Sequence, residues 1–265
     1  MHYRHAYHAG NFADVFKHIL LVGLLQALNR KDKPWCYLDT HAGAGRYDLD
    51  SAAAGKTAEW EGGIGRLRGL KNAPEPLAGF LKIVGAKTTR YPGSPLFAEA
   101  LMRPGDRLVL CEKEPEVYEQ LKSTLHAEIH QRAGYGAHGL VPPKEKRGLI
   151  LIDPPFEARD EFTRASEFLA KACARFSNGV YALWYPLKNR HEAERFLRRV
   201  QRDIAQPLLN IAFENGAPGE GQMRACGLLV VNPPFQFERE IEPALKILVR
   251  ELAQGPRAQY QINTP

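Results

Sequence analysis

The chain has 265 residues, 44% of them hydrophobic and 25% charged, the proportions of a soluble globular domain with room for one sizeable core. Its 23 Gly and 19 Pro are too few for a collagen-like or low-complexity chain. Lys and Arg number 36 against 30 Asp and Glu, a formal charge of +6, and this mild basic excess permits an anionic partner such as nucleic acid.

Met1 to Gly10 is polar and His-rich, with no signal-peptide stretch. Asn11 to Leu28 reads as a helix: Asn11 suits the cap, and Phe12, Val15, Phe16, Ile19 and Leu20 fall on one face. The longest apolar run, Ile19 to Leu28, is too short to cross a bilayer. Trp35 to Thr40 predicts a buried strand that feeds the turn Gly43-Ala44-Gly45. Three helices are expected next. One starts at Thr57 with Trp60, Ile64 and Leu67 in register, and one covers Leu77 to Val84. The third starts at Ser94-Pro95, read as a cap followed by proline at the first helical position. The stretch 46–107 therefore reads as a helical insertion in a single domain spanning 1–265.

Leu108 to Cys111 predicts the next strand, followed by a helix carrying Val117, Leu121, Leu125 and Ile129 on one face. Leu149 to Ile152 is a continuous apolar strand, Phe162 to Phe176 a helix and Val180 to Trp184 a strand. Glu192 to Ile204 is a basic amphipathic helix. Leu208 to Phe213 and Gly227 to Val231 are the last two strands, and Ile241, Leu245, Leu248 and Leu252 mark the last helix. Strands apolar on both faces, alternating with helices, predict an α/β fold with a mostly parallel sheet. The short Gly-rich link from Asn215 to Gly221 predicts one antiparallel strand at the end of the sheet. Cys36, Cys111, Cys173 and Cys226 form no C-x-x-C pair and read as buried reduced thiols, which points to the cytoplasm.

Three stretches carry candidate chemistry. The first is Asp39-Thr40-His41-Ala42-Gly43-Ala44-Gly45, where a strand ends in an acid and a G-x-G turn lets backbone approach a ligand. Asp48 lies where the third glycine of a dinucleotide fingerprint would fall, so the turn suits an adenosyl ligand without a pyrophosphate; its plain alternative is a tight turn. Glu112 directly follows the second strand, where a carboxylate can accept both ribose hydroxyls; otherwise it is a surface acid among Lys113, Glu114 and Glu116. The second stretch is Asp153-Pro154-Pro155-Phe156 at the end of an apolar strand. An acid and the freed Pro154 carbonyl can both accept from one exocyclic amine while Phe156 stacks on its ring; the alternative is a rigid strand exit. Asn232-Pro233-Pro234-Phe235 is a similar string. It ends the strand expected to be antiparallel, so its tip should face away from the site. The third stretch is the N-terminal run. His2, His5 and His8 lack the further ligands a metal needs, so no metal is expected, whereas Tyr3, Arg4 and His5 combine stacking with phosphate pairing.

Tyr3-Arg4-His5, His8-Ala9-Gly10-Asn11, the Asp39 to Gly45 turn, Tyr91-Pro92-Gly93-Ser94-Pro95, Leu149 to Phe156 and Tyr181 to Pro186 occur in this order across nearly the whole chain. Together they resemble the bacterial 23S ribosomal RNA adenine-N6 methyltransferases, the RlmJ family. The resemblance implies a Rossmann-like S-adenosylmethionine-dependent methyltransferase fold with a small helical insertion. It also implies methylation of a single adenine in 23S ribosomal RNA. His18, His41, Ser94 and Glu112 match the family's cofactor-binding positions. Lys17, Gly43 and Gly134 join them by their place beside these motifs. Asp153 matches the catalytic acid and also faces the cofactor, and Tyr3, with Arg4 beside it, matches an RNA contact. Two positions depart from the family. Arg132-Ala133-Gly134-Tyr135 lacks the Asp of the usual Ala-Asp-Gly, a carboxylate that normally contacts the cofactor's adenine, and Phe156 replaces the common Tyr.

The expected reaction is direct methyl transfer, with Asp153 and the Pro154 carbonyl holding the N6 amine. Methylation of DNA adenine or of a protein amide on the same scaffold stays open, as does an rRNA-binding assembly factor with an inactive cofactor site.

Overall fold

The computed structural model describes residues 7–86, 89–218 and 223–264. Helix α1 (Phe12–Asn29) is capped by Asn11, whose Oδ1 accepts the Ala13 and Asp14 N–H groups at 3.0 Å, two of the donors a helix start leaves open. Its length and apolarity would suit a bilayer, yet 89% of it is buried inside the fold. Every residue of β1 (Cys36–Asp39) is buried. Next come β2 (Arg46–Asp48), α2 (Ala52–Thr57), α3 (Ile64–Leu67), α4 (Leu77–Val84), β3 (Arg90–Pro92) and α5 (Ser94–Leu101).

Strands β2 and β3 pair as an antiparallel ribbon that the sequence reading did not anticipate. The helix expected from Thr57 through Leu67 is broken. Helix α2 stops at Thr57, Ala58 turns left-handed with φ 49°, and a 3-10 turn covers Glu59–Gly62. Gly63 then brings the chain so close to Gly10 that a Cβ would lie 2.1 Å from the Gly10 carbonyl oxygen. The cap of α5 also differs. Gly93 takes that position, Ser94 is already helical, and its hydroxyl is committed elsewhere.

Strand β4 (Arg107–Glu112) leads to α6 (Pro115–Thr124) and β5 (Glu128–Gln131). The helix expected to reach Ile129 therefore ends at Thr124, with Leu125 extended at φ −152°, and Ile129 lies in a short strand of half-exposed polar character. The remaining elements are β6 (Gly148–Ile152), α7 (Glu161–Arg175), β7 (Val180–Pro186), α8 (Arg190–Asp203), β8 (Leu208–Glu214), β9 (Ala225–Val231), α9 (Phe237–Leu252) and β10 (Gln259–Asn263).

Among the described residues, eight strands form one sheet in the order β10-β8-β9-β7-β6-β1-β4-β5. Strands β7, β6, β1, β4 and β5 are mutually parallel. Strand β9 is antiparallel as expected, but it is wedged between β7 and β8 rather than placed at the end. All seven of its residues are buried, which fits an interior strand covered on both faces. The edge is β10, whose residues alternate between exposed and half-buried and pair with β8; its polar Gln-Tyr-Gln-Ile-Asn gave no sequence signal. Helices α1, α5 and α9 cover one face of the sheet and α7 and α8 the other, with a separate core under each layer.

Candidate active site

The strand order reverses at β1, whose neighbours β4 and β6 lead the chain in opposite directions. A doubly wound sheet opens a crevice at such a point, outside the carboxyl ends of the strands. Asp39 closes β1 opposite Leu151, and Asp153 lies two residues beyond that level. Asp39 is fully buried. Its Oδ2 accepts the Tyr37 hydroxyl at 2.8 Å and the Ser94 hydroxyl at 2.6 Å, and its Oδ1 accepts the His41 N–H at 3.1 Å. Burial pushes this carboxyl up to about 6; the three donors oppose the rise and the Asp153 charge adds to it. Tyr37 was not singled out in the sequence, although period two places it on the same strand face as Asp39.

The turn after β1 needs its glycines. Gly43 and Gly45 have φ of 64° and 77°, a region glycine enters without strain, and a Cβ on Gly43 would lie 2.2 Å from the Tyr47 hydroxyl. The Gly43 N–H donates to Glu112 Oε2 at 3.0 Å, and the Glu114 N–H to Oε1 at 2.9 Å. Glu112 is thus fixed at the tip of β4 beside the turn. His41 hydrogen-bonds through Nδ1 to Thr40 Oγ1 at 2.8 Å and meets the Tyr135 ring edge-on at 5.3 Å. Burial, with the Lys113 and Arg164 charges, pulls its pKa down to about 3, so the imidazole is neutral. Gly134 packs directly beneath it: a Cβ there would lie 2.3 Å from the Thr40 carbonyl oxygen and 2.4 Å from the His41 ring.

Across the crevice, Asp153 Oδ2 accepts Lys17 Nζ at 2.5 Å, and Asp14 Oδ1 accepts the same ammonium at 2.9 Å. Burial alone would lower the Lys17 pKa; the Asp14 and Asp153 carboxylates override it and hold Lys17 well above its ordinary value. Lys17 and Asp153 lie 136 residues apart in sequence, and no local pattern announces their pairing. Pro154 is buried. Phe156 is left-handed at φ 50°, a placement that costs a non-glycine residue roughly 1–3 kcal/mol and collects at functional sites. Its ring packs on Phe162 at 4.8 Å and on Trp184 at 5.9 Å.

Of the residues singled out from sequence, the crevice gathers Lys17, His41, Gly43, Ser94, Glu112, Gly134, Asp153, Pro154 and Phe156. His18 lies deeper, 1% exposed, with Nδ1 2.9 Å from the Tyr91 hydroxyl and its ring on Phe97 at 4.7 Å. Tyr3, Arg4, His2 and His5 fall outside the described residues. Among the described residues no three His, Cys, Asp or Glu side chains cluster as a metal site. Asn232 is at the opposite end of the strands: Val231 pairs with Tyr181 at the start of β7, and Asn232 Nδ2 donates to the Ser177 and Gly179 carbonyls at 2.8 and 2.7 Å.

The parallel strands from β5 to β7, the reversed β9 wedged against β8, and an acid-Pro-Pro-aromatic string at the switch point define the class: a Rossmann-like methyltransferase. The family described as "Ribosomal RNA large subunit methyltransferase D, RlmJ" matches residues 32–263. Within that class, the chain belongs to this family. It is 37% identical over 262 residues to "Ribosomal RNA large subunit methyltransferase J" of Haemophilus influenzae, covering 94% of this chain and 93% of that protein. The protein of the same name from Escherichia coli is also 37% identical, over 264 residues, with the same coverage. A crystal structure of a Legionella pneumophila protein superposes with a TM-score of 0.90 at 36% identity, covering 97% of this chain and 98% of that one.

Proposed function

We propose that the protein transfers the methyl group of S-adenosylmethionine to the N6 amine of a single adenine in 23S ribosomal RNA. The observation that carries this reading is Asp153-Pro154-Pro155-Phe156 at the switch point, with Asp153 held by Lys17. The donor set fits the cofactor. Each Glu112 oxygen holds one backbone N–H and can accept one more hydrogen bond, as two ribose hydroxyls require. The glycine turn presents backbone without side chains, and neutral His41 adds no positive charge beside a sulfonium. Ser94 and His18 join this side by their match to the family's cofactor positions, and Lys17 and Gly134 by their place beside the matched motifs. S-adenosylmethionine supplies an electrophilic methyl group at the crevice.

The chain's own residues then act on the amine. Lys17 occupies Asp153 Oδ2 and leaves Oδ1 to accept from N6. The Pro154 carbonyl accepts the second N6 hydrogen, and the Phe156 ring stacks on the base. Two accepted hydrogen bonds draw the amine lone pair out of conjugation with the ring and toward the methyl group; as the nitrogen–carbon bond formed, the sulfur–carbon bond would break with its electron pair left on the neutral thioether sulfur, and N6 would give up one of its two held protons past Asp153 to solvent. Much of the acceleration comes from this positioning and preorganised electrostatics. The family resemblance assigns Tyr3, with Arg4 beside it, to RNA contact. An RNA substrate and four buried free cysteines, which stay reduced in the cytoplasm, support a cytoplasmic location.

The test is a map of N6-methyladenosine in 23S RNA from cells lacking the gene. One methylated adenine is expected to vanish, to return with the wild-type gene, and to stay absent with Asp153→Ala. An unchanged map would overturn the proposal.

A further inference from the structure

Residues 59–64 meet the chain just before α1 at several points. Glu59 Oε2 accepts the Asn11 side-chain amide at 2.9 Å, and both Glu59 oxygens lie 3.0 Å from His8 Nδ1. The Ile64 N–H donates to the Gly10 carbonyl at 2.9 Å, beside the Gly63–Gly10 approach. Thr57 Oγ1 donates to the Tyr7 carbonyl. Asn11 is therefore held at both ends of its amide, by Glu59 at Nδ2 and by the helix start at Oδ1. One residue upstream, the Gly10 N–H donates to Asp14 Oδ2 at 3.0 Å, and Asp14 holds Lys17. A continuous chain of polar contacts thus runs from Glu59 through the first turn of α1 to Asp153.

We propose that Glu59 is a positioning residue for methyl transfer: it clasps the segment before α1 and, through Asn11 and Asp14, holds Lys17 against Asp153. This rests on the methyltransferase reading above. A half-exposed acid–histidine pair alone contributes little, but here the acid also binds Asn11, 6% exposed and the cap of the helix that carries Lys17.

The clasp has a pH signature. The Glu59 hydrogen bond favours the protonated His8 ring, burial opposes it, the Glu59 and Asp14 charges favour it and Lys188 opposes it; the net raises His8 above its ordinary 6.5. Glu59→Gln keeps an acceptor for Asn11 and tolerates a neutral His8, but it loses the charge that matches a protonated ring. Glu59→Ala loses both contacts.

Methyl transfer to protein-free 23S RNA is measured from pH 6 to pH 8, with the His8 titration by NMR on the full chain. Glu59→Ala should lower kcat about tenfold at every pH. Glu59→Gln should match the wild type at pH 8 and fall at least threefold below it at pH 6. Wild-type His8 should titrate above 6.5, and in Glu59→Gln at or below it. Glu59→Ala within twofold of wild type at every pH, or a Glu59→Gln ratio independent of pH, would overturn the positioning role. A wild type that methylates no adenine would overturn the methyltransferase reading instead. The His8 titration needs no turnover and still judges the clasp: a wild-type value at or below 6.5 overturns it.

Discussion

Glu112 is set in place by two backbone N–H groups, from Gly43 and Glu114, so a ligand meets a carboxylate that is already ordered. Glu112→Ala would remove both acceptors proposed for the ribose and loosen the glycine turn. Two charge-assisted hydrogen bonds are worth roughly 2–4 kcal/mol, so S-adenosylmethionine should bind at least tenfold more weakly by calorimetry; equal affinity would remove Glu112 from the site. Asp39 is a different kind of acid, fully buried with its pKa pushed up to about 6. A carboxyl raised in the folded state favours folding below its unfolded value near 3.8, and that contribution is lost as pH rises through about 6. The stability of the wild type relative to Asp39→Asn should therefore decline between pH 4 and pH 7. Thermal unfolding of both proteins at each pH measures it, and a constant difference would contradict the raised pKa.

At the level of elements, strand direction decides which Pro-Pro string reaches the crevice. Strand β6 runs parallel to β1 and delivers Asp153 to the crevice, whereas the reversed β9 delivers Asn232 to the opposite end of the strands. Asp153→Ala should abolish turnover while the protein folds and binds cofactor. Asn232→Ala should keep turnover within a few fold and lower stability by about 1–2 kcal/mol, because two carbonyls lose their donor. Steady-state rates and denaturant unfolding of both variants separate these outcomes; loss of turnover in Asn232→Ala alone would reverse the assignment. The apolar runs of β1, β4, β6, β7 and β9 were legible because strands covered on both faces admit little else. The direction of β9 was legible from its short connection to β8, but its wedged position was not, since insertion beside β7 is a tertiary choice. Strands β5 and β10 escaped because edge strands are short and half polar. The helix drawn through Trp60 failed because periodicity carried on across Gly62 and Gly63, where close approach to Gly10 breaks it. Ser94 was singled out through its family match, not through its chemistry. The geometry shows its hydroxyl on Asp39 rather than on the helix start. The Lys17–Asp153 pair, by contrast, needs the packing of α1 against the sheet before it exists.

For the whole molecule, the net charge of +6 is modest, so shape and local contacts must supply most of the RNA selectivity, with phosphate pairing adding a salt-sensitive part. The amine must leave its base pair to reach Asp153, because a paired N6 already donates its hydrogen bond. An adenine in a loop or bulge lowers that cost by a few kcal/mol. A structured fragment with an exposed adenine should therefore be a better substrate than the same sequence in a perfect duplex, and binding should weaken as salt rises. The most direct test of the account is methyl transfer from labelled S-adenosylmethionine to protein-free 23S ribosomal RNA, followed by mass spectrometry of the digested nucleosides and mapping of the label. The account predicts N6-methyladenosine at one adenine, lost with Asp153→Ala. Methylcytidine, label spread over many adenines, or equal transfer to DNA would contradict it.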